Sequence, residues 1–156
     1  MATEAGGTPA VIVEGDASGL AQRITIGVHQ FAADESLAAG GTDTGPDPYQ
    51  LLLAALGSCT SMTVALYARR KQWPLQRVRV QLTHSRIHVE DCAHCDTNAG
   101  RLDRIERALD FDGPLSTDQR RRLIEIADRC PVHRTLTSDI HIVTRLVEQS
   151  PDRTVS

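Results

Sequence analysis

The chain has 156 residues, a mass of 17.0 kDa and a formal net charge of −3 at pH 7. That length supports one domain with a hydrophobic core, expected over residues 1–156 with the core at about 20–148 and flexible tails, and leaves little room for two. The acidic balance gives no electrostatic reason to expect nucleic acid or an anionic membrane as a partner.

Aromatic residues make up 3% of the chain and hydrophobic ones 40%, so the core has to be built from Leu, Ile, Val and Ala. The N-terminal stretch carries Glu4 where a signal peptide carries basic residues, and it has no apolar run of the length such a peptide needs; a cytoplasmic protein is expected. Val11 to Glu14 has the composition of an opening strand, and Gln22 to Ala32 alternates Ile24, Ile26 and Val28 on one face. Together these predict an N-terminal antiparallel meander. Residues 34–48 contain Gly40, Gly41, Gly45, Pro46 and Pro48 and read as a loop placed to line a site.

Asp47 then opens a helix: its carboxylate can cap free backbone N–H groups, Pro48 suits the first helical position and Gln50 completes a capping box. Leu52, Ala55, Leu56, Cys59, Met62, Thr63 and Leu66 recur at helical spacing from there to Arg70 and predict the buried stripe. Ala54, Ala55, Gly57 and Ser58 are small enough to admit a second backbone. After a Trp73-Pro74 connection, Arg77 to Glu90 returns to strand alternation. Val78, Val80 and Leu82 share one face while Ile87 and Val89 share the other, so a bulge or a change of packing partner is expected near His84.

Arg101 to Asp112 fits a helix through Leu102, Ile105 and Leu109, or a strand face through Ile105, Leu109 and Phe111; a strand closing a long hairpin is preferred. Gly113-Pro114 breaks the chain. Ser116 and Gln119 form a second capping box, for a helix from about Thr117 to Arg129 with Leu123, Ile126 and Ala127 inward. Arg120, Arg121 and Arg122 lie beside Asp118 and Glu125 at helical spacing, as on a solvated helix face. Pro131 stops that helix and can open a short turn, Pro131 to Leu136, with Cys130 at its N-cap. Ser138 to Leu146, with Ile140 and Ile142 on one face, reads as a closing strand.

Four cysteines in a chain of this kind point away from a disulfide scaffold and toward metal, redox or core roles. A lone cysteine on an apolar helix face, as Cys59 is, is usually a small core hydrophobe. Cys130 changes that weighting: a thiol at a helix N-terminus, with Arg129, His133 and Arg134 close in sequence, is in surroundings that favour a thiolate.

The segment LLLAALGSCTSMTVALYARRK, followed downstream by IADRCPVHRTL, resembles the OsmC/Ohr family of thiol-dependent hydroperoxide reductases, from roughly Ile24 to Val147. The resemblance implies an α+β fold and an intertwined homodimer, its antiparallel sheets mixing strands of both subunits around two central helices that carry the cysteines. It also implies that Cys59 is the peroxidatic cysteine and Cys130 the resolving one. Cys59 would attack an organic, lipid-type hydroperoxide and become a sulfenic acid, which Cys130 would condense with to form a disulfide. An external dithiol, from a lipoyl protein or a thioredoxin-like protein, would reduce it again, with no cofactor required. Leu52, Leu56 and Met62 would favour an organic substrate by burying its alkyl tail.

Burial raises the pKa of a thiol unless a cation compensates. In the family that cation is an arginine from the N-terminal strands, held by a glutamate at the start of the catalytic helix, and Arg23 is the only arginine before the helix. Where the glutamate is expected stands Tyr49, followed by the uncharged Gln50; neither holds an arginine as a carboxylate does, which lowers the peroxidase efficiency to be expected. A second departure is the run from His84 to Cys95. One Cys-x-x-Cys pair, Cys92 and Cys95, with His88 or His94 offers donors for a zinc ion, and the same stretch also reads as a structural loop or a redox dithiol. The readings that compete are a hydroperoxide reductase, a zinc-binding protein on the same fold, and a redox sensor without fast turnover.

Overall fold

The computed structural model describes residues 10–88 and 100–147. Strands β1 (Val11–Glu14), β2 (Gln22–Ile26) and β3 (His29–Ala33) form an antiparallel sheet in that order, as the meander pattern predicts. The alternating run from Gln22 to Ala32 is a hairpin rather than one strand. Ile26 pairs with His29, and Gly27 and Val28 make the turn between them. Gly27 takes φ +59°, as at the first position of a type II′ turn, which puts Val28 in solvent instead of on the face of Ile24.

The loop that follows is folded around one carboxylate. Buried Asp34 accepts hydrogen bonds from the hydroxyls of Thr42 (2.6 Å) and Thr44 (2.9 Å) and from the backbone N–H groups of Glu35, Thr42 and Thr44. Its own N–H donates to the Pro46 carbonyl, so the loop delivers Asp47 to a fixed place. There the capping box forms as expected: Asp47 Oδ1 accepts from the Gln50 N–H at 2.8 Å, and Gln50 Oε1 accepts from the Asp47 N–H at 3.0 Å.

Helix α1 (Pro48–Arg70) is the one described helix long and apolar enough to cross a membrane by length and composition, and here it is the element on which the others pack. It is closed by a Schellman arrangement. The Trp73 N–H reaches the Ala68 carbonyl, and the Gln72 N–H, from a residue at φ 54°, reaches that of Arg69.

Strands β4 (Arg77–His88) and β5 (Arg101–Asp112) pair antiparallel without interruption from Arg77 opposite Asp112 to His88 opposite Arg101. The bulge expected near His84 is therefore absent. The ladder is made by backbone groups that are indifferent to which side chain is apolar, so the apolar phase changes along β4 with no extra residue.

Helix α2 (Thr117–Ala127) starts at the second capping box and ends at Ala127, two residues sooner than expected, with Asp128 as its C-cap. Arg121 and Arg122 pair with Asp118 and Glu125 as a solvated face should, but half-buried Arg120 turns inward and donates to the carbonyls of Phe111 and Gly113. Helix α3 (Pro131–Leu136) follows, with Cys130 as its N-cap. Val64 and Ala68 of α1, Phe111 of β5, Leu115, and Leu123 and Ala127 of α2 form the core.

The buried line of α1 is not the predicted stripe. Leu56, Gly57, Thr60, Val64 and Ala68 are buried, whereas Cys59 and Thr63 are half-buried, Leu52 and Ala55 are exposed, and Met62 and Leu66 stand 65% and 51% exposed. The helix is apolar around most of its circumference, so periodicity alone does not choose a face. Side-chain size chooses it: a Cβ on Gly57 would lie 2.8 Å from Leu82 Cδ1, so the hairpin approaches where α1 is narrowest.

Residues 138–147 pair with no described strand, contrary to the closing strand expected there; Ile142 is 81% exposed and Leu146 93%. Alternation describes one partner of a pairing, and this run takes up none of the free edges that β1, β3, β4 and β5 leave.

Hydrogen bonds from Thr42 above all, and from Thr44 and Glu35, hold the Asp34 carboxyl well below the usual carboxylate range against the opposing effect of burial. A depressed folded-state value contributes stability that is present above the unfolded value of about 4 and is lost as the pH falls below it. Asp34→Asn is expected to be less stable than the parent at neutral pH and to lose less on acidification, as read by urea unfolding across pH. Equal midpoints at neutral pH would remove Asp34 from the account of this loop.

Candidate active site

Cys59 lies midway along α1 and is half-buried, while Cys130 is fully buried; both are free thiols, near enough to each other that each affects the other's acidity. The local sequence explains how Cys130 reaches α1. Its N–H donates to the Ala127 carbonyl at the end of α2, Pro131 restarts the chain as α3, and the His133 N–H then points back at Cys130 Sγ at 3.5 Å. The Val132 N–H is directed at both sulfurs. Cys130 thus stands at the joint between α2 and α3, not inside a helix.

The two thiols are unequal. Burial raises the Cys59 thiol, and the hydrogen bond between the two sulfurs pushes it the same way, more than the Val132 N–H and Thr63 lower it. Burial also acts to raise Cys130, but the hydrogen bonds that its sulfur receives from Cys59, the His133 N–H, Thr60 and the Val132 N–H outweigh it and hold the thiol below its ordinary value.

A cation is close to the pair, and it comes from β5. Arg107, paired with Leu82 in the hairpin, runs inward and donates from Nη1 to the hydroxyl of fully buried Thr60 at 2.9 Å and to the Ala127 carbonyl at 3.3 Å. Its Nη2 donates to Asp128 Oδ1 at 2.6 Å. Thr60 gives its own proton to the Leu56 carbonyl at 2.7 Å. Beside this network is a cavity of about 270 Å³ with apolar walls from Leu56, Ile105 and Leu136 and polar ones from Arg107, His133 and Asp103.

Of the residues that sequence reasoning put at the site, Cys59, Cys130 and Leu56 come together. Gln50 serves as the cap described above. Tyr49 stacks on the His84 ring, centroids 4.5 Å apart at 13°, and its phenol lies near enough to Arg86 to favour the charged guanidinium. His84 and Arg86 both reach Asp103 Oδ1, at 2.9 and 3.2 Å, and hold its carboxyl below the ordinary range. The position where a glutamate was expected is therefore occupied by a phenol facing an arginine.

Arg23 is exposed on β2, in a groove with Glu14, Asp16 and Gln30, and makes no described hydrogen bond or ion pair with the thiols. Leu52 and Met62 lie on the exposed side of α1. Cys92, His94 and Cys95 are outside the described residues; His88 ends β4, and no group of three or more metal-ligating side chains occurs among the described residues.

Thr60, Arg107 and Arg86 were missed from sequence. Arg107 did leave a signal: it is the charged position within the apolar alternation Ile105, Leu109 and Phe111 of β5.

Comparison with known proteins places these elements. The sequence profile of the OsmC-like protein family matches residues 41–145, more than half of the chain and a span that includes both cysteines. The fold is similar to that of an OsmC-like protein of Mycoplasma pneumoniae (TM-score 0.66, 20% identity, 83% of this chain and 87% of that one). It is similar also to an organic hydroperoxide resistance protein of Legionella pneumophila (0.61, 16%, 85% and 92%) and to the organic hydroperoxide resistance protein OhrB of Bacillus subtilis (0.59, 21%, 85% and 93%). None of the curated proteins matches the sequence. With its α+β architecture, its antiparallel sheets and this sequence match, the chain belongs to the OsmC family.

Proposed function

We propose that the protein is a thiol-dependent peroxidase that reduces organic hydroperoxides through Cys59 and Cys130. The observation that carries the reading is the nearness of two free thiols, one half-buried on α1 and the other fully buried at the head of α3. Cys59, as thiolate, attacks the distal oxygen of the hydroperoxide. The O–O bond breaks, the alkoxide leaves and takes up a proton as the alcohol, and Cys59 becomes a sulfenic acid. The Cys130 thiolate then attacks the Cys59 sulfur, expelling hydroxide, which is protonated to water, and the disulfide is returned to two thiols by an external dithiol of the lipoyl or thioredoxin kind. The apolar walls of the neighbouring cavity, Leu56, Ile105 and Leu136, suit an alkyl tail better than hydrogen peroxide.

The same reading makes the protein an intertwined homodimer. Met62 and Leu66 on α1 and the unpaired run at 138–147 leave apolar surface that a second copy would cover, with its own strand edges and with Arg23 as the cation the family's mechanism calls for.

Reduced protein supplied with dithiothreitol is expected to consume cumene hydroperoxide faster than hydrogen peroxide. Cys59→Ser should abolish turnover, and Cys130→Ser should stop after one round with a dimedone-trappable sulfenic acid. Turnover that survives loss of either thiol would sink the proposal, and disulfide formation without sustained turnover would assign the pair to redox sensing.

The dimer is checked separately by sedimentation equilibrium, where a mass of twice 17.0 kDa is expected. Met62→Asp should shift the equilibrium toward single chains; a monomeric parent protein would overturn this part.

A further inference from the structure

One guanidinium joins the two segments that carry the thiols. Arg107 of β5 donates from Nη1 to the hydroxyl of Thr60, the residue after Cys59, at 2.9 Å, and to the carbonyl of Ala127, three residues before Cys130, at 3.3 Å. Its Nη2 donates to Asp128 Oδ1 at 2.6 Å. We propose that Arg107 is a positioning residue that sets the spacing between Cys59 and Cys130 and so governs how readily the two close into a disulfide. The proposal rests on the thiol pair being the reactive centre put forward above, and it concerns the closing of the bond, not the attack on the hydroperoxide.

The hairpin places Arg107 against α1. Arg107 stands opposite Leu82 in the ladder of β4 and β5. Leu82 meets α1 at Gly57, where a Cβ would lie 2.8 Å from its Cδ1, and Arg107 meets it at Thr60. One rung of the hairpin therefore addresses α1 on both sides of Cys59. Thr60 is fully buried and gives its own proton to the Leu56 carbonyl at 2.7 Å, so its lone pairs have a fixed direction and Arg107 meets a rigid acceptor.

On its other side Arg107 closes the end of α2. The last carbonyls of a helix lack intrahelical donors and carry the negative end of its dipole. The last turn of α2, Ile124 to Ala127, holds Glu125 and no basic residue, so the charge that suits this end comes from β5. The Ala127 carbonyl that receives Arg107 also receives the Cys130 N–H, at 3.3 Å, so the guanidinium pins the group from which Cys130 hangs. Asp128, 62% exposed, completes a three-point hold on a planar group whose side chain is 12% exposed.

The start of α2 has a second arginine tie that does not involve α1. Arg120 donates to the carbonyls of Phe111 at 2.6 Å and Gly113 at 3.0 Å, fastening that end to the end of β5. Both ties secure α2, and the one at Arg107 alone of the two reaches the residue beside Cys59. In the closing step the Cys130 thiolate attacks the sulfenic sulfur of Cys59, an S–S bond forms, the S–O bond breaks and hydroxide leaves to be protonated to water. Groups held in place for such a step react at a high effective concentration. Freeing the joint between α2 and α3 would let Cys130 spend time out of reach of Cys59, which lowers that concentration.

The test is the thiol–disulfide equilibrium of the full-length protein in glutathione buffers. Oxidised glutathione takes two electrons from the pair and is released as two thiols as the Cys59–Cys130 bond forms. Peptide mass spectrometry after alkylation reads this pair apart from Cys92 and Cys95. Arg107→Gln is expected to lower the equilibrium constant for closing about tenfold, equivalent to about 30 mV for a two-electron couple. Arg107→Lys, which keeps the charge, should recover part of the loss. Arg120→Gln should lower the urea midpoint and leave the constant at the parent value. If Arg107→Gln does not fold, Thr60→Val, which keeps the side-chain volume and removes the acceptor, should lower the constant in the same direction, and Thr60→Ser should restore it. A constant unmoved in Arg107→Gln and Thr60→Val, or moved as far by Arg120→Gln, would overturn the proposal, since a tie that only adds stability acts alike at either end of the helix. Hydroperoxide turnover is measured separately. Its absence in the parent, with the constant shifted as expected in the variants, would retire the proposed function and leave this assignment standing; turnover with an unmoved constant would retire the assignment alone.

Discussion

Helix α1 can be approached closely only along the line where its side chains are small or short, and the rest of the molecule is arranged on that line. Gly57 admits Leu82 of the hairpin, Thr60 admits Arg107, and Val64 and Ala68 receive Phe111, Leu123 and Ala127. A bulkier residue at any of these places would push β5 or α2 outward. The cost would fall on more than packing, because the end of α2 fixes where Cys130 turns toward α1.

That packing sets the electrostatics of the thiols. Two sulfurs taken out of water are poor acids, and the molecule offsets this with short, fixed dipoles: the N–H groups of Val132 and His133, the hydroxyl of Thr60 and, behind it, a guanidinium. The donors converge on Cys130 more than on Cys59. The more accessible sulfur is therefore the weaker acid, and the more acidic one is sealed.

Much of this was legible in the sequence, and what was not has identifiable causes. Both capping boxes, the hairpin of β4 and β5, and the placing of Cys130 at the head of a short helix follow from local rules that tertiary structure did not override. Within one chain the face of α1 turned to the core is not fixed by spacing, because Leu52, Met62 and Leu66 are as apolar as the residues that are buried there. The strand at 138–147 failed for a different reason: alternation describes one partner in a pairing and carries no information about whether the other is present. Arg107 was passed over because the inward face of β5 was read through Ile105, Leu109 and Phe111. The gap at 107 was treated as noise in the pattern, when a charge on an inward face is the more informative observation.

The N-cap position of Cys130 ties the conformation of α3 to the oxidation state of its sulfur. The first turn of α3 is anchored by the His133 N–H, which points at Cys130 Sγ at 3.5 Å. A disulfide is a neutral and much poorer acceptor, so oxidation releases that N–H from its partner while leaving Arg134 N–H on the Cys130 carbonyl as the remaining tie. The loosening falls on a six-residue helix at the mouth of the cavity, where His133 and Leu136 form part of the wall. Amide exchange in α3 would then report the state of Cys130, because the wall over the sulfur would be least firmly held where that tie is lost.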